Sequence, residues 1–345
     1  MKVVAFGPGR VNLIGEHTDY NGGLALPFAI AEGVRVTATA IDGDRIEAIA
    51  RDYGDEHDAF ALAAPPRGAT GWRPFVRGVA AELRAAKHDV RAARLEISGD
   101  LPRGSGLSSS AALEVALALA LLALGGDTDP DRPALARLCS TVENDWVGAQ
   151  TGLLDQTASL LSTEGHALRI DFATMDTMSV PLDLQGWRLV TLDSGETHQL
   201  SAAKGYNERR AECDAAAQRL GVETISEATS AQAATLPDPL RRRVEHVLTE
   251  NARVDTTVAA LRDNDLAGVG ALLDASHASL RDNYDASTDA VERAVQKLKA
   301  AGAQGARMVG GGFGGHVLAL FPPDTPAPPG AHEVHPGAGA RLLDG

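Results

Sequence analysis

Hydrophobic residues recur along the chain in two patterns, and each pattern predicts a different kind of element. Short apolar or alternating runs bounded by turn residues predict strands over residues 2–6, 33–40, 45–51, 94–98, 166–170, 178–182 and 187–193. Apolar residues spaced three and four apart predict helices over residues 72–86, 108–124, 207–220, 241–262 and 289–300, and one more that begins near Pro133. The turn residues Asp42-Gly43-Asp44 predict a hairpin between strands 33–40 and 45–51. Residues 307–320 predict two strands joined by a glycine loop.

The longest apolar run, Val115 to Leu124, predicts a buried helix. It is about half as long as the ~20 residues that a membrane span requires. The apolar start of the chain ends at Gly7-Pro8-Gly9 and is too short for the hydrophobic region of a signal peptide. We therefore expect a cytoplasmic protein.

Length and a change of character near residue 165 predict two domains. A chain of 345 residues is longer than a typical single domain. Residues 1–165 contain the apolar helix, whereas three long polar helices and the Pro-rich loop 321–330 lie in residues 166–345. We expect an α+β protein with domains 1–165 and 166–345.

Charge and composition exclude several classes of protein. The chain has 32 Lys and Arg against 46 Asp and Glu, a net charge of −14, which argues against a dedicated nucleic-acid binder. Cys139 and Cys213 are the only cysteines, which excludes a disulfide framework and a Cys-based zinc site. The ten histidines form no metal-binding pattern, and we expect His332 and His335 in solvent. The three arginines at 241–243 are expected on the polar face of a helix.

Three segments are unusually rich in glycine and small polar residues. The first glycine segment, residues 9–23, places Glu16, His17 and Asp19 between glycines. These side chains offer the acceptors and the donor that bind neighbouring sugar hydroxyls. The alternative is a polar surface turn.

The second glycine segment, residues 101–112, runs from glycines and serines into the apolar helix. Glycine lets a backbone approach a ligand closely, and free amides at a helix N-terminus favour phosphate. The segment has neither the Lys-Ser/Thr pair of a Walker A loop nor the third glycine of a dinucleotide fingerprint. A Ser-capped buried helix after a glycine turn is the alternative.

The third glycine segment, residues 310–315, has five glycines in six positions between two apolar runs. Such a density predicts close backbone approach or positive φ angles. A purely structural tight turn is the alternative.

Together the three segments resemble those of the GHMP small-molecule kinases, and the first narrows the resemblance to members that phosphorylate galactose. Further matches occur in the family order at residues 143–148 (ENDWVG), 152–156 (GLLDQ), 206–213 (YNERRAEC) and 279–284 (SLRDNY). The resemblance implies a two-domain fold: an N-terminal α/β domain like ribosomal protein S5, a C-terminal ferredoxin-like α+β domain, and the active site between them.

The reaction implied is transfer of the γ-phosphoryl of ATP to the anomeric hydroxyl of galactose, the first committed step of the Leloir pathway. Asp155 would be the base that takes the sugar proton, and Arg10 would lie beside it and the migrating phosphoryl. A cation there offsets negative charge that develops during transfer. The alternative for Asp155 is a side chain that caps a loop, and that for Arg10 is a side chain that faces solvent.

The resemblance also implies the ligands of both substrates. Mg²⁺ would be held by Ser110 and Glu143, because it binds hard oxygen ligands. The alternative for Ser110 is a helix cap, and that for Glu143 is a solvent-facing glutamate. The residues implied for the sugar are Glu16, His17, Thr18, Asp19 and Tyr206, with a core tyrosine as the alternative at 206. Those implied for the ATP phosphates are Gly104, Ser105, Gly106, Leu107, Ser108, Ser109 and Ser110.

Two rival functions remain open in the sequence. One is a sugar kinase of the same family that acts on N-acetylgalactosamine or arabinose. The other is a sugar sensor that has lost catalysis. Such a sensor could dispense with residues 104–112, Glu143 and Asp155, all of which this chain has. We expect galactose and MgATP as partners, no nucleic acid and no membrane, and a monomer, with a homodimer as the alternative.

Overall fold

The protein folds into three β-sheets covered by helices. The computed structural model describes residues 1–101, 106–149, 151–196 and 199–344, and within residues 199–204 it describes the backbone only. The strands are β1 (Lys2–Asn12), β2 (Leu24–Ala25), β3 (Pro27–Ala40), β4 (Arg45–Ala50), β5 (Glu56–Ala61), β6 (Ala93–Gly99), β7 (His166–Asp171), β8 (Thr177–Pro181), β9 (Arg188–Asp193), β10 (Gly305–Met308), β11 (His316–Phe321), β12 (Ala331–Val334) and β13 (Arg341–Leu343).

The α-helices lie between and over these strands. They are α1 (Arg73–Ala85), α2 (Ser109–Gly125), α3 (Arg132–Val142), α4 (Leu154–Leu161), α5 (Gln199–Leu220), α6 (Ser230–Ala233), α7 (Leu240–Arg262), α8 (Leu266–Asp282) and α9 (Asp289–Ala300). A π-helical turn (Glu143–Val147) follows α3 directly. Short 3₁₀ helices occur at Asp19–Asn21, Arg51–Tyr53 and Ile225–Glu227. None of the helices in the described ranges combines the length and the apolar character that crossing a membrane requires.

The first sheet has the strand order β13-β1-β3-β6-β4-β5, and α2 packs against it. All residues of α2 from Ala111 to Leu124 are buried, which confirms the buried helix predicted from the apolar run. The backbones of β1 and α2 are unusually close, since a Cβ atom at Gly7 would lie 2.1 Å from the carbonyl oxygen of Ala112. Glycine is therefore needed at position 7, and this approach brings β1 next to the start of α2.

The other two sheets have the orders β10-β11-β9-β12 and β2-β7-β8. Helices α8 and α9 pack on β10 and β11, and α7 packs between α5 and α8. The C-terminal strand β13 returns to pair with β1 in the first sheet. The division into domains 1–165 and 166–345 stays a prediction.

Several predicted elements are confirmed and others are wrong. The helices at 72–86, 108–124, 241–262 and 289–300 and the strands at 94–98, 166–170 and 187–193 lie within two residues of the observed elements. The hairpin between 33–40 and 45–51 is wrong, because β6 lies between β3 and β4 and pairs with both. A turn signal predicts only that the chain reverses, whereas burial of Leu95 and Ile97 places β6 at the centre of the sheet.

Helix α8 has no counterpart in the predicted elements. Gly268 and Gly270 near its start weaken the helical pattern, because glycine disfavours helix interiors. Gly270 is close to the neighbouring strand: a Cβ atom at Gly305 would lie 1.9 Å from the Gly270 carbonyl oxygen. The glycines that obscure the helix in the sequence thus allow α8 and β10 to pack closely.

The arginines at 241–243 do not share one polar face. Arg242 remains partly exposed beside Asp285, but the Arg243 side chain is fully buried and contacts Glu212 and Asp285. His332 and His335 are exposed, as the sequence predicts.

Candidate active site

The first and third glycine segments line one polar cavity of about 200 Å³, and the second lies beside it in contact with Arg10 and Asp155. Strand β1 brings Arg10 to it, the loop after β1 brings Glu16, His17 and Asp19, and α4 brings Asp155. Helix α5 and the third glycine segment close it with Tyr206, Gly310 and Gly311. Residues far apart in the sequence thus form a single concave site, which is typical of small-molecule binding.

Arg10 and Asp155 form an ion pair at this cavity. Nε of Arg10 donates to Oδ1 of Asp155 at 2.8 Å, and Nη2 lies 2.7 Å from the same oxygen. The Ser108 hydroxyl donates to the other carboxylate oxygen, Oδ2. Burial acts to lower the pKa of Arg10, but the charges of Asp155 and Glu16 raise it above its ordinary value. The guanidinium is therefore a permanent buried cation next to a carboxylate.

The second glycine segment is attached to Arg10 by both backbone and side chain. The backbone N–H of Arg10 donates to the Leu107 carbonyl at 3.1 Å, and Nη1 donates to the Gly106 carbonyl at 2.5 Å. Leu107 is itself buried in the core. Residues 106–108 are thereby fixed beside Asp155. Gly104 and Ser105, predicted to bind phosphate, lie outside the described residues.

Glu16 is buried and connects the first glycine segment to the third. Its Oε1 accepts from the backbone N–H of Gly310 at 2.7 Å and lies 3.1 Å from Nη2 of Arg307. Arg307 is completely buried, and its Nη1 donates to the carbonyls of Asn12 and Leu13 at 2.7 and 3.0 Å. Glu16 is thus held in one orientation at the cavity wall.

His17 is neutral and oriented by the protein. Its Nε2 lies 3.2 Å from the Gly311 carbonyl, which can only accept, so Nε2 carries the proton and Nδ1 accepts from the Tyr20 hydroxyl at 2.8 Å. Burial, helped by the charge of His246, lowers the pKa of His17 to about 3. The ring also lies 4.5 Å from that of Tyr284, centroid to centroid. Both ring nitrogens of His17 are therefore already hydrogen-bonded within the protein.

Thr18 is placed differently from its neighbours. It is fully buried, its hydroxyl faces the carbonyls of Gly15 and Leu24 at 2.9 and 2.8 Å, and it does not line the cavity. The hydroxyl stabilises the turn that carries His17 and Asp19.

Asp19 lies against Gly152, and this contact explains the glycine. A Cβ atom at Gly152 would lie 1.9 Å from Oδ2 of Asp19, so no other residue fits there without displacing the carboxylate. Burial, and then the charge of Asp155, raises the pKa of Asp19 to about 7. The Asp19 carboxyl is thus a hydrogen-bond acceptor at the cavity whose ionisation changes near neutral pH.

Tyr206 closes the cavity with its ring. The ring centroid lies 5.4 Å from those of His17 and Tyr20, and a Cβ atom at Gly311 would lie 2.9 Å from Cδ2 of Tyr206. Burial, and then the charge of Asp19, raises the pKa of the Tyr206 phenol well above its ordinary value, so the hydroxyl keeps its proton and remains a donor.

A second group of polar side chains lies at the start of α2. The Ser110 hydroxyl donates to Oε1 of Glu143 at 2.8 Å, while Thr151 and Gln156 donate to Oε2 at 2.9 and 2.8 Å. Glu143 occupies the π-helical turn, a distortion that often occurs at functional sites. Burial, and then the charge of Asp155, raises the pKa of Glu143. The Glu143 carboxylate is thus buried near that of Asp155, and among the described contacts no cation pairs with Glu143.

The oxygens of this pair are of the kind that Mg²⁺ binds. Mg²⁺ binds through one or two hard oxygen ligands and completes its shell with water and substrate phosphates. Ser110 and Glu143 supply such oxygens at the helix terminus where phosphate is favoured. Nowhere in the described residues do three His, Cys, Asp or Glu side chains gather as a metal cage would require.

A second cavity of about 270 Å³ lies at the α2 N-terminus, and no pattern in the sequence predicted it. Its walls are mainly apolar or aromatic and include Trp72, Phe75 and Leu113, while Ser109 and Ser110 line it at the start of α2. Such a cavity suits a flat base joined to a phosphate chain. The Trp72 and Phe75 spacing at the start of α1 is the signal in the sequence, but a core helix gives the same pattern.

Arg307 is also missing from the residues that the sequence singled out. A signal exists, because a charge inside an apolar strand must have partners when it is buried. Its partners, Glu16 and two backbone carbonyls, cannot be identified from the sequence because they lie in a distant segment.

Comparison with protein families assigns the chain to one class. Residues 74–163 match the model of the GHMP kinases N terminal domain, and residues 257–336 match that of the GHMP kinases C terminal region. Residues 1–40 match the galactokinase galactose-binding signature. The chain is thus a GHMP kinase, which confirms the predicted fold class.

Relatives and solved structures narrow this class. The chain is 43% identical over 328 residues to the galactokinase of Mycobacterium tuberculosis, covering 93% of this chain and 90% of the relative. It is 40% identical to the galactokinase of Streptomyces coelicolor, covering 91% and 83%. The Lactococcus lactis galactokinase complexed with galactose superposes with a TM-score of 0.93 at 29% identity over 99% of this chain and 95% of the other. The chain belongs to the galactokinase family, as the resemblance in its sequence predicts.

A more distant structure shares the fold alone. The Methanococcus jannaschii mevalonate kinase superposes with a TM-score of 0.69 at 16% identity, covering 100% of this chain and 98% of the other. The architecture is therefore common to kinases of different acceptors, and specificity must lie in the side chains of the site.

Proposed function

We propose that this protein transfers the γ-phosphoryl of ATP to the anomeric hydroxyl of α-D-galactose and releases α-D-galactose 1-phosphate and ADP. The observation that carries the proposal is the Arg10–Asp155 pair, which lies between a polar cavity of sugar size and the start of α2. The relatives named galactokinase support the choice of substrates.

Asp155 acts as the base in this proposal. As the anomeric oxygen attacks the γ-phosphorus, its proton passes to the Asp155 carboxylate, and the bond between the γ-phosphorus and the bridging oxygen of ADP breaks. Arg10 keeps Asp155 in position and places a fixed positive charge beside the transferred group, where negative charge is spread over the oxygens.

The sugar ring is bound by the polar residues of the cavity. Asp19 accepts from sugar hydroxyls, and Glu16 does so with the oxygen that Arg307 and Gly310 leave free. Tyr206 contributes a ring face and a hydroxyl donor. His17 and Thr18 support this wall through their hydrogen bonds within the protein.

The α2 N-terminus receives the phosphates in this proposal, through Gly106, Leu107, the backbone of Ser108, and Ser109 and Ser110. The apolar second cavity then receives the base of ATP. Ser110 and Glu143 would hold Mg²⁺, which when bound supplies positive charge to the phosphate oxygens. The domain boundary near residue 165, a monomeric state and a cytoplasmic location remain predictions.

A sugar panel tests the proposed function. ADP release with MgATP is measured for galactose, glucose, N-acetylgalactosamine and arabinose. Sites that hydrogen-bond a hydroxyl can reject an analogue that leaves their polar groups unpaired by ~10⁴-fold or more. Glucose is the epimer of galactose at one carbon and turns one hydroxyl away from its partner, so kcat/KM for galactose is expected to exceed that for glucose by orders of magnitude. Asp19→Ala should lose this activity, whereas Asp42→Ala, at an exposed turn, should keep it. Equal rates on galactose and glucose would overturn the proposal, and absence of ADP release with every sugar would favour a sensor.

A further inference from the structure

Ser108 breaks a local rule of helix formation. It is the N-cap residue of α2, and its carbonyl accepts the first helical hydrogen bond from Ala112 at 3.0 Å. A serine at this position usually caps the helix with its hydroxyl, in an extended backbone conformation. Here the backbone is left-handed, with φ of 62°, and the side chain makes no capping hydrogen bond.

The hydroxyl that does not cap the helix reaches the active site instead. It donates to Oδ2 of Asp155, while Arg10 occupies Oδ1. Ser108 is buried, whereas the Asp155 side chain remains 27% exposed at the cavity. The left-handed backbone region is unfavourable for residues other than glycine, and residues held there cluster at functional sites.

The surroundings of Ser108 impose this conformation. Leu107 is buried and its carbonyl accepts from the backbone of Arg10, and the Arg10 side chain donates to Gly106. The loop therefore cannot relax into an ordinary cap without breaking contacts with the residue that also pairs with Asp155. Arg10, Ser108 and Asp155 form one connected unit.

We propose that Ser108 is a positioning residue for the base, and not chiefly a phosphate ligand. By fixing Oδ2 it sets the plane of the Asp155 carboxylate toward the sugar hydroxyl. By leaving the helix uncapped it keeps the first amides of α2 available to the phosphates. This inference rests on the proposed function, since it takes Asp155 to be the base.

Substitutions at position 108 separate this role from a structural one. Ser108→Gly removes the hydroxyl and suits the left-handed backbone, so it should keep or raise Tm while kcat falls about tenfold to a hundredfold. Ser108→Ala removes the hydroxyl and keeps the unfavourable conformation, so it should lose a similar factor in kcat. Ser108→Thr keeps the hydroxyl but strains the backbone further, so it should be less stable than Ser108→Gly and yet more active. KM for galactose should change little in all three.

Lys87→Gly is the matched control. Lys87 also has a left-handed backbone, with φ of 68°, but it is exposed and follows α1 far from the cavity. This variant should likewise keep or raise Tm, and its kcat should be unchanged.

Two results would overturn the proposal. One is a kcat within twofold of the parent for both Ser108→Gly and Ser108→Ala. The other is a loss confined to KM for ATP, which would make Ser108 a phosphate ligand. Both results compare a variant with an active parent enzyme. They are therefore distinct from failure of the proposed function, in which the parent itself does not discriminate galactose from glucose.

Discussion

Nη2 of Arg307 lies 3.1 Å from Oε1 of Glu16, and the two side chains are 0% and 5% exposed. The pair joins the strand before the third glycine segment to the loop that follows β1. The same arginine donates to the carbonyls of Asn12 and Leu13, so one buried cation fixes both the start of this loop and the carboxylate within it.

Removing this cation should destabilise the protein and weaken sugar binding. Arg307→Met leaves Glu16 buried without its charge partner, and breaking a buried pair in this way costs about 3–5 kcal/mol of unfolding free energy. Urea unfolding measures the loss. Arg91→Met, at an exposed pair with Asp89, should cost about 0–1 kcal/mol. The effects of Arg307→Met and Glu16→Gln should be less than additive in the double variant, and full additivity would show that the two side chains do not act together.

The Arg10–Asp155 pair leads to a second prediction. Asp155→Asn keeps the size of the side chain but cannot take a proton, so kcat should fall at least ~10²-fold while the Kd values of galactose and ATP stay similar. Calorimetry measures binding, and initial rates measure turnover. Arg10→Ala should lose a similar factor, and the double variant should lose little more, because the two residues act as a unit. An Asp155→Asn variant that turns over within a few-fold of the parent would exclude Asp155 as the base.

Galactose affinity should depend on pH through Asp19. Because the pKa of Asp19 is raised to about 7 by burial and by Asp155, the ligand-free carboxyl is mostly protonated below pH 7 and ionised above it. Sugar hydroxyls donate to the ionised form, so Kd should rise as pH falls below 7, by up to about tenfold per pH unit. Asp19→Asn should flatten this profile and Asp42→Asn should not. A parent Kd that is constant from pH 5 to 8 would contradict the assignment.

The same raised pKa predicts an effect of Asp19 on stability. Between pH 3.8, its ordinary pKa, and about 7, the folded protein holds a proton on Asp19 that the unfolded chain has released. The contribution of this group to stability therefore falls as pH rises through that window. Asp19→Asn removes the penalty, so its Tm relative to the parent should be higher at pH 8 than at pH 4. Differential scanning calorimetry at both values measures the difference, and an equal offset would contradict it.

The metal site can be tested through Glu143. Glu143→Gln keeps the shape and most hydrogen bonds of the side chain but removes the charge that Mg²⁺ needs, so the Mg²⁺ concentration for half-maximal activity should rise and kcat should fall. Galactose binding without nucleotide should persist, since Glu143 does not line the sugar cavity. Glu164→Gln, on an exposed loop, is the control. Unchanged activity of Glu143→Gln at low Mg²⁺ would remove this residue from the metal site.

The sequence alone determined the family, the buried helix and the three glycine segments at the site, two of which line the cavity. These features depend on local chemistry: the apolar run 115–124 has no soluble alternative to burial, and glycines at 310–315 have few uses other than close approach or positive φ. The resemblance also supplied Arg10 and Asp155, which the structure brings together at 2.8 Å. Residue type and order carry this information directly.

Only the tertiary structure decided which partners these residues have. The hairpin predicted at residue 43 failed because β6 enters the sheet between β3 and β4, a choice that long-range burial makes and a turn does not encode. In the sequence, Arg307 is an isolated charge within an apolar strand, and only the structure shows that Glu16 lies beside it. Ser108 reads as a helix cap, yet the contacts of residues 106–107 with Arg10 turn its backbone left-handed and direct its hydroxyl to Asp155. Local preferences are worth about 1 kcal/mol each, and the packing of distant segments outweighs them.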